Sequence, residues 1–168
     1  MKTPNLILLF FLFSIITNIV AENPNDTTYV KTEHYEGIIF GKNYPKNRIY
    51  KGNIDEMRWN PTIEDIAAAE KILEKYLNRY CRKYSKKDNH GTSFVCKNLD
   101  DYIRQYLGEF NNEQKILFIY CFWKGILQEH LDWKINMIKI FDGGSDYWYM
   151  KIDMDKRKVV DFYIHGSA

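Results

Sequence analysis

Residues 114–125, QKILFIYCFWKG, carry the change of period on which the fold turns. Ile116, Phe118, Tyr120 and Phe122 alternate with Leu117, Ile119, Cys121 and Trp123. An alternation that is apolar on both faces describes a central strand covered on both sides. The rest of the chain must supply what covers those two faces.

Downstream, the segments 132–141 (DWKINMIKIF), 146–153 (DYWYMKID) and 158–166 (KVVDFYIHG) keep period two and complete an expected antiparallel meander. Trp148, Met150 and Ile152, then Val160, Phe162 and Ile164, make one apolar face. Tyr147, Tyr149, Lys151 and Asp153, then Val159, Asp161, Tyr163 and His165, make the other. Together with Tyr120, the tyrosines Tyr147, Tyr149 and Tyr163 define a candidate surface for a ligand or partner, because aromatic rings with polar tips suit a buried contact. The bland alternative is that helices cover this face and the tyrosines reach water at its rim. In FDGGSDYWYMKID (141–153), Asp142-Gly143-Gly144 reads as a tight hairpin turn, since glycine accepts positive φ cheaply. The carboxylate spacing does not fit a calcium loop, and strand-type sequence follows where a phosphate loop would open a helix.

Upstream, WNPTIEDIAAAEKILEKYLNRYCRKY (59–84) is the clearest helix. Thr62 and Asp65 form a capping-box pair, and Pro61 discourages an earlier start. Ile66, Ala69, Leu73, Leu77, Tyr80 and Tyr84 recur at helical spacing, while Glu64, Glu70, Lys71, Glu74, Lys75 and Arg79 are assigned to the charged side. A second helix is expected over 98–110, with Leu99, Tyr102, Ile103, Tyr106, Leu107 and Phe110 buried and Gly108 weakening its end. HYEGIIFGK (34–42) and NRIYKG (47–52) read as short strands. The sum is an α+β fold: two helices packed on an antiparallel sheet of about four to six strands.

The N-terminus has the layout of a secretory signal peptide over residues 1–21: Lys2, an apolar run from Leu6 to Val20, and small Ala21 before polar sequence. The apolar run is short for a bilayer-spanning helix, which needs about 20 residues; an uncleaved N-terminal anchor is the alternative. Residues 22–33 read as a flexible tether and 34–168 as a single α+β domain, secreted or periplasmic. In that setting Cys81 and Cys96, which bracket a polar segment, are the candidate disulfide, and Cys121 reads as a buried small hydrophobe.

Lys and Arg total 24 against 22 Asp and Glu, a net charge of +2 that makes no electrostatic case for nucleic acid. No cysteine or histidine spacing matches a metal site, and no cofactor motif is present. His165 and Asp161 share a strand face but lie about 13 Å apart at strand rise, too far for a catalytic dyad. The expected role is therefore a non-catalytic extracytoplasmic binding or interaction module whose partner is an unknown protein or small molecule. The alternatives are an inhibitor of an envelope or extracellular hydrolase, and a small hydrolase or isomerase with a pocket between helices and sheet that uses His165, Asp161 or Tyr163.

Across residues 57–168 the chain resembles a group of small secreted bacterial proteins with no assigned function. The shared features are Trp59-Asn60-Pro61-Thr62, Arg104-Gln105-Tyr106, Asp142-Gly143-Gly144 and a C-terminal Gly-x-Ala; His165 departs from the Asn that precedes it in the pattern. The resemblance implies an envelope or secreted location and an α+β shape similar to cystatin-like folds. It brings no catalytic residues.

Overall fold

The computed structural model describes residues 22–23, 26–45, 57–84, 91–126, 132–138 and 143–164. Seven strands form one sheet in chain order. They are β1 (Glu22–Asn23), β2 (Thr27–Lys31), β3 (Glu36–Phe40), β4 (Tyr102–Asn111), β5 (Gln114–Trp123), β6 (Tyr147–Asp153) and β7 (Lys158–Ile164), with β1 only two residues long. Two helices, α1 (Ile63–Tyr84) and α2 (Thr92–Lys97), lie between β3 and β4 in the chain. The class is α+β, as expected, and β5 is a central strand buried on both faces.

The sheet is mixed rather than purely antiparallel. β3 and β4 run parallel, from Glu36 opposite Ile103 to Phe40 opposite Leu107. Parallel neighbours need a crossover, and the α1–α2 segment supplies it. The difference traces to residues 98–110. The expected helix there is instead β4, whose residues 102–109 are all buried. A strand buried on both faces has no polar alternation, and its apolar positions then also satisfy helical spacing. Asn111 and Asn112 do not close a helix; Asn112 and Glu113, both at positive φ, make the two-residue turn of the β4–β5 hairpin. Gly108 is there for close approach: a Cβ on it would sit 2.8 Å from the Trp59 ring.

Four further expectations change. Residues 27–31, read within a flexible tether, pair with β3 as β2. Residues 132–138, read as the start of a strand, are turns, and 139–141 lie outside the described residues, as does the expected strand 47–52. β6 takes β5 as its partner, and among the described residues Gly143 and Gly144 close no tight hairpin; Gly144–Asp146 is a single 3-10 turn entering β6, and Asp142 lies outside the described residues. A bulge between Lys151 and Ile152 sets Ile152 opposite Val159, which turns Val159 toward the helix and leaves Val160 in solvent.

α1 begins as its sequence dictates. The Thr62 N–H donates to Asp65 Oδ2 at 2.9 Å, and the Asp65 N–H donates to Thr62 Oγ1 at 3.2 Å, closing the capping box. Ile66, Ala69, Leu73 and Leu77 pack on Tyr106, Leu117, Ile119, Trp148, Met150 and Ile152. Each large apolar side chain buried this way contributes about 1.5–3 kcal/mol.

Cys81, near the end of α1, is bridged to Cys96 in α2, with the Cα atoms 5.9 Å apart. Closing a loop of this length contributes about 3 kcal/mol by restricting the unfolded chain. The bridge fits an oxidising, extracytoplasmic environment. No helix among the described residues is long and apolar enough to cross a membrane. Cys121 is fully buried and unbridged. Thiol labelling should therefore find no reactive cysteine in the native protein, one after unfolding without reductant, and three after reduction; three before reduction would exclude the bridge.

Candidate functional site: the aromatic face of the sheet

The tyrosines that alternation assigned to one face do share it. The Tyr120 ring lies 6.4 Å from Tyr147 and 6.1 Å from Tyr149, and Tyr149 lies 5.9 Å from Tyr163. Phe118 continues the row, stacked 5.8 Å from Tyr120. The four tyrosines differ in access. Tyr120 and Tyr147 are buried, Tyr149 is half-buried, and Tyr163 is exposed.

Among the described residues, what covers Tyr120 and Tyr147 is not a helix. Both helices lie on the opposite face, and this one is roofed by the connection between β5 and β6. Trp133, Met137 and Ile138 pack with Ile103, Tyr120, Phe122 and Tyr147, and Tyr44 joins them. Gln105 holds the roof down: its Nε2 donates to the Trp133 and Asn136 carbonyls at 2.7 and 2.9 Å, and its Oε1 accepts from the Ile138 N–H at 2.8 Å. The Tyr147 hydroxyl adds a bond to the Ile138 carbonyl, and the Tyr44 hydroxyl one to the Ile135 carbonyl. Gln105 is fully buried, so every one of its polar atoms has to be matched, and the roof matches them.

The roof covers one end of the face. At the β4–β5 hairpin end an open groove of about 550 Å³ runs past Phe118, Ile116, Met57 and Val160. Met57, Val160 and Tyr163 are the exposed large apolar side chains among the described residues, at 70%, 52% and 49%. All three belong to this side of the molecule. Asp161 accepts from the Tyr149 hydroxyl at 3.2 Å and pairs with Lys151 at 3.4 Å, while Lys151 lies 4.7 Å over the Phe118 ring. Asp161 is thus committed within the face, and His165 lies outside the described residues. β7 is the last strand in the sheet order, so its outer edge has no strand beside it among the described residues.

On the helix side the structure assembles a buried cluster that residue patterning assigned elsewhere. Glu70, placed with the charged side of α1, faces inward, and Arg104 projects toward it from β4. Arg104 Nε lies 3.0 Å from Glu70 Oε1, which also accepts from the Tyr106 hydroxyl at 2.8 Å. The Arg104 guanidinium further donates to the Tyr102 and Leu99 carbonyls at 2.8 and 3.3 Å. Burial lifts the Glu70 carboxyl above its ordinary range, with Arg104 and Tyr106 pulling it back. Burial opposes the Arg104 charge, but Glu70 and the further groups around it, Tyr106, Cys121 and Asp100, together more than restore it. The Tyr106 hydroxyl is raised well above its usual value, by burial and then by Glu70. The cluster floors a pocket of about 530 Å³ rimmed by Thr32, His34, Tyr35 and Asp100. Glu70 was legible in principle, since it stands four residues after Ile66 and three before Leu73, inside the buried stripe.

No protein-family model, curated protein or solved structure matches the chain.

The unequal access of the tyrosines is testable by stability. Tyr147→Ala should cost about 3–5 kcal/mol in chemical denaturation, as large-to-small changes in a core do. Tyr163→Ala should stay within about 0.5 kcal/mol of wild type. Gln105→Ala should cost about 1–3 kcal/mol through the roof groups it leaves unmatched, and should raise binding of an apolar dye. Equal costs at Tyr147 and Tyr163 would contradict the roof.

Proposed function

We propose that the protein is a non-catalytic extracytoplasmic interaction module that binds a protein partner on the open half of its aromatic face, against strand β7. One observation carries the reading: the three exposed large apolar side chains, Met57, Val160 and Tyr163, collect on one side of the sheet. Scattered singly they would need no explanation; gathered beside a row of aromatic rings they mark an interaction surface. The groove is shallow and open along the sheet, which suits a protein segment better than an enclosed small molecule. The outer edge of β7 offers backbone groups to an added strand, whose alternate side chains would meet Val160 and Tyr163. A secreted or periplasmic location is consistent with the N-terminal leader pattern and the Cys81–Cys96 bridge.

The same edge supports a narrower reading, inhibition of an envelope or extracellular hydrolase by presenting β7 to its target. Uniform inactivity against peptidases and muramidases would remove that version and leave the general one standing.

Tagged protein recovered from its native envelope fraction is expected to retain a specific partner, and Val160→Asp with Tyr163→Asp to lose it at least tenfold with an unchanged melting temperature. Both side chains are exposed, so the fold survives the change. Undiminished capture by the double variant would overturn this surface.

A further inference from the structure

The two sides of α1 differ in charge. Glu70 and Glu74 face the pocket above Arg104, whereas Lys71, Lys75 and Arg79, repeating at intervals of four residues, line the groove on the other side, with Lys71 bordering both. Like charges at that spacing lie one above the next on a helix and destabilise it. All three are exposed, and none takes part in an ion pair among the described residues.

The side chains facing this stripe add to it. The β6–β7 turn presents Arg157 and Lys158, and the space between turn and helix is a groove of about 820 Å³ in which Glu64 is the one acid. The turn is held firmly: the buried Asp153 accepts from the Lys156 N–H at 2.9 Å, and Asp155 accepts from the Lys115 N–H at 3.0 Å. Arg157 sits at φ 51, a left-handed backbone that a non-glycine residue adopts at a cost. The near-neutral total charge of the chain therefore conceals a local concentration of five cations on two walls.

We propose that this groove binds a linear polyanion, a chain bearing phosphate-like groups at regular intervals. Successive cations on α1 rise about 6 Å, so they can meet consecutive anionic groups of an extended polymer while Arg157 and Lys158 close on it from the other wall. The placement of cations on two walls favours one kind of partner. A flat anionic membrane would meet a convex basic surface with apolar side chains to insert; an open groove with cations on both sides can flank an extended strand. The neighbouring cations also hold each other in an unfavourable arrangement that an anionic chain relieves. This site is separate from the aromatic face and does not depend on its role.

The test uses the full chain and inorganic polyphosphate as probe, with binding measured by anisotropy across a salt series. Log affinity should fall linearly with log salt, the slope approaching about −3.5 if all five cations engage, by the counterion-release rule for single strands. Lys75→Glu with Arg79→Glu should weaken binding at least tenfold, and so should Arg157→Glu on the opposite wall. Lys134→Glu, on the roof side, should leave it unchanged. Lys75, Arg79, Arg157 and Lys134 are all exposed, and substitutions at such positions stay within about 0.5 kcal/mol, so each variant should melt close to wild type and a loss of binding cannot be assigned to unfolding. Absence of polyphosphate binding at low salt, an equal loss in Lys134→Glu, or binding to anionic vesicles in place of polyphosphate would overturn the proposal.

Discussion

A guanidinium buried to 1% exposure must be answered by the residues around it, and Arg104 sets that condition at the centre of this fold. Removing it from water costs several kcal/mol unless a counter-charge and further acceptors replace the lost hydration. Glu70 supplies the charge, and the Tyr102 and Leu99 carbonyls supply acceptors. Since Glu70 belongs to α1 and Arg104 to β4, the pair fixes how the helix is rotated on the sheet. Tyr106, also on β4, bonds the same carboxylate and leaves little freedom for α1 to slide. The crossover from β3 to β4 is thereby held at its midpoint by a polar contact and at its far end by the disulfide.

The rotation of α1 has consequences on both of its flanks. With Glu70 turned inward, Lys71, Lys75 and Arg79 are turned toward the β6–β7 turn, and the basic groove follows from the same geometry. On the other face of the sheet, Gln105 follows Arg104 in the chain and points the opposite way, as alternate strand residues do. It answers its own burial by binding the connection between β5 and β6. Two adjacent buried polar residues of β4 thus anchor the two layers that cover the sheet. Among the described residues the roof ends short of the β4–β5 hairpin, and Phe118, Val160 and Tyr163 keep part of their surface exposed.

Much of this was legible in the residues. α1, its capping box, the central position of β5, the β6–β7 hairpin and the pairing of Cys81 with Cys96 all follow from local pattern, because each depends on neighbours in sequence or on one dominant period. The shared face of Tyr120, Tyr147, Tyr149 and Tyr163 follows from strand alternation in the same way. β4 was not legible as a strand because burial on both faces erases the alternation that distinguishes it from a helix. Losing β4 also hid the parallel pairing, which depends on where a distant segment returns. The roof was invisible for a different reason: residues 132–138 have the composition of a strand but are held as turns by contacts with Gln105, 31 residues away at Asn136. Val160 and Val159 exchanged faces because a single bulge shifts the alternation by one residue, which no local pattern announces.

Glu70 and Arg104 act as one unit in holding α1 on the sheet, and a double-mutant cycle tests this most directly. Glu70→Leu alone and Arg104→Met alone should each cost about 3–5 kcal/mol in denaturant unfolding, because each strands a buried charge. The double variant should cost less than either single one, since an apolar pair of similar size leaves no charge to answer. Single costs that add in the double variant to within about 0.5 kcal/mol would show two independent residues and contradict the account.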